Sequence, residues 1–358
     1  MDQMNPTTPA NQTPRSSLTD VRIAVIGAGS WGTALANLLA TKGYPVDFWV
    51  FEEEVRFQIA SFRENRVFLP GISLSERLNP TGDLSQAVEG KDMVLMVVPS
   101  HLMRAITARM SPDIAQTAVI VSASKGIENQ TLLTMSRVLA QTLAHIPEAR
   151  IAVLSGPSFA REVAIQSPTV ITAASTSPES AALVQQVFAT PTFRVYTHDD
   201  VIGVELGGSV KNVIAIAAGM IDGLKLGLNT RAALITRGLA EIRRLGLKLG
   251  ANPHTFAGLA GIGDLVLTCT GDLSRNHTVG KKIGEGKNLS DILSETRTIA
   301  EGVKTAESVY NLSIKVGVEM PISHAVYYIL YKGLSPREAV SQLMTRDLKH
   351  EIDDFSQA

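Results

Sequence analysis

The sequence predicts an α/β fold: a doubly wound, mostly parallel sheet in the first half, followed by an all-helical second half. Three observations carry this. Short apolar runs alternate with amphipathic helical patterns from residue 21 to about 198, as expected for strands joined by crossover helices. A glycine-rich turn follows the first of these runs and opens a helix. After Asp200, strand-like runs vanish and helical patterns follow one another.

At 358 residues the chain has room for two domains, each with its own core. The expected division is a disordered tail over 1–20, a sheet domain over 21–200 and a helical domain over 201–350. Apolar residues make up 45% and charged residues 19%, an ordinary globular composition. Lys+Arg 33 against Asp+Glu 34 gives a net charge of -1, so no global basic field recruits nucleic acid or a membrane surface. Any anionic ligand must be held by local positive groups. The single cysteine, Cys269, excludes an internal disulfide and a multi-cysteine zinc site; no metal is expected, and a reducing cytosol suits the chain.

Residues 1–20 are rich in Pro, Thr, Ser, Asn and Gln. They lack the positive and apolar blocks of a signal peptide and are expected to be disordered. No run reaches the roughly 18 apolar residues of a membrane span. The expectation is a soluble, cytoplasmic protein.

Taken in order, strands are expected over 21–26, 46–50, 93–98, 118–122, 151–154, 169–173 and 193–196. Helical segments lie between them, as over 31–42, where Leu35, Leu38 and Leu39 mark one face. Helices are then expected over 201–226, 230–249, 253–257, 276–285, 305–316, 321–331 and 336–344.

The first strand, turn and helix read VRIAVIGAGSWGTALANLL, with Gly27, Gly29 and Gly32 at GxGxxG spacing. Gly27 permits the tight turn, Gly29 lets backbone approach a pyrophosphate, and Gly32 lets helix and strand pack closely. The flanking strand and helix raise this motif above a chance glycine turn. A Rossmann-type dinucleotide site follows. The second strand ends in Phe51-Glu52-Glu53-Glu54, about 20 residues beyond the turn, where an acidic group can accept from a ribose 2′-hydroxyl and would repel a 2′-phosphate. Glu52 is the candidate acceptor, although these carboxylates also suit a helix N-terminus.

Lys211 is the only charge between Glu205 and Asp222, in LGGSVKNVIAIAAGMI. An ammonium in an apolar stretch costs free energy unless it has a partner or a task, and burial lowers its pKa toward neutrality. Gly207 and Gly208 precede it by one turn, so its side chain rises over bare backbone that leaves room for a small molecule. A lysine snorkelling out of the helix is the structural alternative.

Lys125 follows a strand, at the carboxyl edge where open α/β sheets bind ligands. Ser155-Gly156-Pro157-Ser158-Phe159-Ala160 also links a strand end to a helix, and Asp264 sits between a glycine turn and Leu265-Val266-Leu267. Ser274-Arg275-Asn276 enters a helix. Taken singly, these read as a surface charge, a turn residue and a helix cap. Together they are complementary. A phosphate wants a helix N-terminus and a guanidinium, as at Ser274, Arg275 and Asn276. A hydroxyl losing its proton as hydride leaves wants a tuned base such as Lys211, which Asp264 could orient.

These motifs closely resemble the NAD(P)-dependent glycerol-3-phosphate dehydrogenase family over roughly residues 21–350. The resemblance is carried by GAGSWGTALA, VVPSH, SASKGIE, LSGPSFAREV, the long segment from Glu205 to Ile242, LAGIGDLVLTCTGDLSRNHTVG and AEGVKTAE. It implies that Lys211 accepts the proton in glycerol 3-phosphate oxidation and donates it in the reverse step. By the same resemblance Lys125 contacts substrate and lies beside the nicotinamide. Gly156, Ser158, Asp264, Ser274, Arg275 and Asn276 match substrate positions, with Arg275 shared with the cofactor. Ser30, Trp31, Phe51, Ala160, Ile299 and Glu301 match cofactor positions. Members that accept NADPH often carry a basic or imidazole group where this chain has Phe51; the run WVFEEE looks more like NAD-using members, which places NAD ahead of NADP.

The expected activity is reversible hydride transfer reducing dihydroxyacetone phosphate to sn-glycerol 3-phosphate, a phospholipid precursor. Two rivals follow from the same features. A β-hydroxyacid or 6-phosphogluconate dehydrogenase shares the two-domain plan, but Ser274-Arg275-Asn276 and the Lys211-Asn212 pair argue against it. A non-catalytic dinucleotide-binding redox sensor would bind NADH without turnover. The apolar helices of the second half are compatible with a homodimer.

Overall fold

The computed structural model describes residues 21–295, 300–348 and 350–351. The expected tail over 1–20 and the cofactor position at Ile299 lie outside the described residues. In chain order the first half runs β1 (Ile23–Ile26), α1 (Ser30–Lys42), β2 (Val46–Trp49), α2 (Glu53–Phe62), β3 (Leu78–Thr81), α3 (Leu84–Val88) and β4 (Met93–Met96). It continues through α4 (Met103–Met110), β5 (Val119–Ser122), α5 (Met135–Thr142), β6 (Ile151–Ser155), α6 (Ala160–Ala164), β7 (Thr169–Ala174), α7 (Pro178–Phe188) and β8 (Phe193–His198).

The strands form one eight-stranded sheet in the order β3-β2-β1-β4-β5-β6-β7-β8. All neighbours are parallel except β6 and β7. The order reverses between β1 and β4, and that reversal opens the crevice in which such sheets bind ligands. Apolar cores cover both faces, one around Val25, Leu35 and Phe48, the other around Ile26, Met96 and Met103.

β3 is not among the strands expected from the sequence. Its four residues, Leu-Asn-Pro-Thr, hold one buried apolar side chain, Leu78. Proline is admitted because β3 is an edge strand paired only to β2. Such a strand is specified by its neighbour rather than by its own pattern.

The second half is helical: α8 (Val201–Gly223), α9 (Leu228–Lys248), α10 (Asp264–Thr270), α11 (Arg275–Gly284), α12 (Leu289–Ser294), α13 (Glu301–Val316), α14 (Pro321–Lys332) and α15 (Pro336–Met344). Two short helices, α10 and α12, were not expected, because seven and six residues are too few to show helical periodicity. The segment Pro253–Ala257 is a single 3₁₀ turn.

The axis of this half is α8. At 23 residues, with a mean hydropathy of 1.5, it is the one helix among the described residues long and apolar enough to cross a membrane, but 89% of its apolar stretch is buried inside the protein. Helices hydrophobic all round belong in the interior of large proteins as well as in membranes, and α8 is packed by α9, α10, α11 and α13. A Cβ at Gly280 would collide with the Ile216 carbonyl. That glycine lets α11 lie backbone to backbone on α8, so the start of α11 falls beside Lys211 and Asn212.

Candidate active site

The glycine turn is built as its spacing requires. Gly27 has φ +112, and a Cβ there would stand 2.6 Å from the Val97 carbonyl oxygen, so only glycine fits. A Cβ at Gly32 would collide with the Gly27 carbonyl, which fixes the close packing of α1 on the strand end. A Cβ at Gly29 would meet nothing within 4 Å. The backbone before α1 is therefore open to a ligand, and the free N–H groups of the helix N-terminus face that opening. Ser30 Oγ donates to the Phe68 carbonyl at 2.6 Å, and the indole Nε1 of Trp31 is buried without a partner.

Lys211 lies one turn past Gly208 on α8 and is 5% exposed, so its side chain does not snorkel to solvent. Its Nζ donates to Asp264 Oδ1 and to Thr268 Oγ1, both at 2.6 Å. Lys125 Nζ reaches the other carboxylate oxygen, Asp264 Oδ2, at 2.7 Å and the Gly156 carbonyl at 3.4 Å. One carboxylate, 1% exposed, thus holds two ammonium groups. Asp264 opens α10 directly after a π-helical turn, Leu259–Gly263, in which Gly261 leaves helical geometry at φ −95, ψ −106. Such π turns are frequent at functional sites because they aim one side chain out of the regular register.

Gly207 and Gly208 have a different use from the one expected. A Cβ at Gly207 would strike the Ala260 carbonyl, and one at Gly208 would strike Ser155 Oγ. The space over these glycines is filled by the π-helical turn and by the end of β6. They bring α8 close enough to both for Lys211, Asp264 and Lys125 to meet.

Burial is the main cause that lowers the Lys211 pKa from 10.5 to about 8; the Asp264 carboxylate opposes it and the Lys125 ammonium adds to it. Burial also pushes the neighbouring Cys269 thiol up to about 12, so it stays protonated near neutral pH. Lys211 is the group here poised to exchange a proton near neutrality.

A second cluster surrounds the start of α11. Ser274 caps this helix, its Oγ accepting from the His277 N–H at 3.2 Å. The Asn276 amide donates to Asn212 Oδ1 at 2.9 Å and its Oδ1 accepts from the Gly302 N–H at 3.0 Å. Arg275 has an exposed side chain flanked by protein, and this surrounding lowers its pKa against the pull of Glu301. Glu301, at the start of α13, accepts from Ser100 Oγ at 2.8 Å. Burial pushes its pKa up, and the Ser100 hydrogen bond and Arg275 restrain the shift. Through Ser100, after β4, this cluster joins the sheet half to the helical half.

The remaining expected residues are less central. Ser158 Oγ donates to the Gly156 carbonyl at 3.0 Å. Ala160 is the half-buried first residue of α6. Phe51 lies outside both clusters, at the end of β2, with its ring 70% exposed and 6.0 Å from that of Trp49. Glu52 is the exposed residue before α2.

Two contact residues were not singled out as site residues from sequence. Thr268 stands one helical turn after Asp264, a spacing that becomes visible only once 264–270 is known to be helical. Asn212 directly follows Lys211, and its role in seating Asn276 depends on the close α8–α11 packing. A cavity of about 490 Å³ lies elsewhere, around Ile151 at the start of β6, between Arg137, Asp200 and Asn252, and contains none of the expected site residues.

Residues 22–181 match the N-terminus, and residues 200–341 the C-terminus, of NAD-dependent glycerol-3-phosphate dehydrogenase. The chain is 58% identical to the glycerol-3-phosphate dehydrogenase (NAD(P)+) of Geobacter sulfurreducens, over 92% of this chain and 98% of that protein. It is 59% identical to the enzyme of the same name from Citrifermentans bemidjiense, again over 92% and 98% of the two chains. The crystal structure of glycerol-3-phosphate dehydrogenase from Coxiella burnetii superposes with a TM-score of 0.88 at 41% identity, covering 91% of this chain and 99% of that one. The chain belongs to the NAD-dependent glycerol-3-phosphate dehydrogenase family.

Proposed function

We propose that this protein reduces dihydroxyacetone phosphate to sn-glycerol 3-phosphate with NADH or NADPH, reversibly, with Lys211 as the proton donor and acceptor. The observation that carries this reading is the buried Lys211–Asp264–Lys125 cluster, reached from the sheet half by Lys125 and from the helical half by the other two. The open backbone at Gly29 and the unpartnered Trp31 indole N–H fit a bound dinucleotide. When bound, the nicotinamide supplies the hydride for the substrate C2 or takes it back.

The chain's own residues do the rest. As C2 gains hydride, charge grows on its oxygen, and the Lys211 ammonium gives that oxygen a proton. In the oxidation direction the neutral Lys211 amine takes the proton from the C2 hydroxyl. Asp264 holds both ammonium groups in place, so neither must reorganise as charge develops. At the other end of the substrate, Arg275 and the α11 N-terminus provide the positive charge a phosphate needs. Ser274 accepts from His277 through its oxygen and keeps its own hydroxyl proton to donate.

The division of the chain at residue 200 belongs to the same proposal, supported by the end of β8 at His198 and the start of α8 at Val201. So do a cytoplasmic setting and a homodimer, for which the exposed Ile314, Tyr328 and Tyr331 would suit contact with a second copy.

The deciding assay follows NADH and NADPH oxidation with dihydroxyacetone phosphate and, in parallel, with a panel of β-keto and β-hydroxy acids. Turnover confined to dihydroxyacetone phosphate is expected. Turnover on the acids alone, or on nothing while NADH still binds, would contradict the assignment.

A further inference from the structure

Arg56, on α2, was not among the expected cofactor residues. Its guanidinium lies over Gly82, just beyond β3: a Cβ at Gly82 would collide with Arg56 Nη1 and stand 2.9 Å from its Cζ. The Gly82 carbonyl accepts from Trp49 Nε1 at 3.2 Å, and the Trp49 ring lies 6.0 Å from that of Phe51. Arg56, Gly82, Trp49 and Phe51 therefore form one cluster at the carboxyl ends of the neighbouring strands β2 and β3. Doubly wound folds place the adenosine ribose of a dinucleotide at the end of the second strand.

The guanidinium is loosely held. Its ion pair with Glu53 spans 3.9 Å, the Glu53 side chain is 90% exposed, and Arg56 itself is 33% exposed. The adjacent Asp83 carboxylate is turned to the Gln86 N–H at 3.1 Å. An exposed pair of this kind is weak, whereas a guanidinium binds a phosphomonoester through two parallel charge-assisted hydrogen bonds.

We propose that Arg56 receives the 2′-phosphate of NADP(H) and that Gly82 lacks a side chain so that the guanidinium can lie where that phosphate arrives. The proposal rests on the dehydrogenase reading and refines its cofactor specificity. Glu52 serves the free 2′-hydroxyl of NAD(H), while the paired charge-assisted hydrogen bonds of Arg56 outweigh the repulsion that Glu52, Glu53 and Glu54 exert on a phosphate, which reverses the preference for NAD expected from the Phe51 position. The chain thus carries a partner for each cofactor on one turn of α2 and the residue before it.

Calorimetric titration with adenosine 2′,5′-bisphosphate and with 5′-AMP tests this without turnover. The wild-type protein is expected to bind the bisphosphate roughly tenfold or more tightly than 5′-AMP, the scale of a charge-assisted hydrogen bond. Arg56→Ala should collapse that ratio toward one, and Arg56→Lys should keep part of it. Gly82→Ala, which leaves the charge in place but pushes the guanidinium aside, should lower the ratio as well. A wild-type ratio near one, a ratio unchanged in Arg56→Ala, or equal weakening of both ligands in that variant would overturn the proposal. NADH-linked reduction of dihydroxyacetone phosphate by the wild-type protein, run alongside, tests the underlying dehydrogenase reading separately.

Discussion

Lys211, proposed above as the proton donor and acceptor, shows how an apolar setting brings an ammonium into the range where such a role is workable. In water its ammonium would hold its proton past pH 10; inside α8, burial brings the pKa to about 8 while Asp264 keeps the charged form from being lost altogether. The sign of the pH dependence follows. Oxidation of glycerol 3-phosphate needs the neutral amine, so its kcat/KM should rise with pH and level off above about 8. Reduction needs the ammonium, so its kcat/KM should fall over the same range. Steady-state profiles in both directions check this, and coincident profiles with no opposing limb near that pH would contradict it. Lys125 sharpens the effect, since a second ammonium on the same carboxylate favours release of the Lys211 proton.

At the scale of elements, the site depends on how closely backbones approach α8. The π-helical turn brings Asp264 in from one side, and α11 brings Ser274, Arg275 and Asn276 in from another. Gly280 is the tightest point of the second approach, with the Ile216 carbonyl where a Cβ would go. Gly280→Ala should therefore cost about 1–3 kcal/mol, the usual cost of overpacking. It should also raise KM for dihydroxyacetone phosphate as the start of α11 shifts. Denaturant midpoints and steady-state kinetics check the two effects; an unchanged midpoint would show that the α8–α11 seam is looser than described. These close approaches were the part hidden in the sequence. The strands with continuous apolar runs, the GxGxxG turn and the long helices could be read directly, since each is specified by its own pattern. β3 could not, because its register is borrowed from β2. The glycines before Lys211 were misread as ligand space because a sequence shows a missing side chain without showing what fills the gap. Thr268 was overlooked for a related reason: its one-turn spacing from Asp264 has meaning only if α10 exists.

In the whole molecule, labour is divided between the halves. The sheet half offers the dinucleotide turn and Lys125; the helical half offers Lys211, Asp264 and, in the proposed reading, the residues that take the phosphate; a hydrogen bond from Ser100 to Glu301 joins the two halves. With a net charge of -1, any anion must be held by local positive groups, and Lys125, Lys211 and Arg275 are the ones proposed for that role. If the division is correct, cofactor binding and proton transfer can be separated by one substitution. The most direct measurement is reduction of dihydroxyacetone phosphate by Lys211→Ala, with NADH binding followed by fluorescence in the same preparation. Near-normal NADH binding is expected, with turnover reduced by about 10²–10⁴-fold, the span of general acid–base catalysis. Turnover close to wild type in that variant would contradict the proposed role of Lys211.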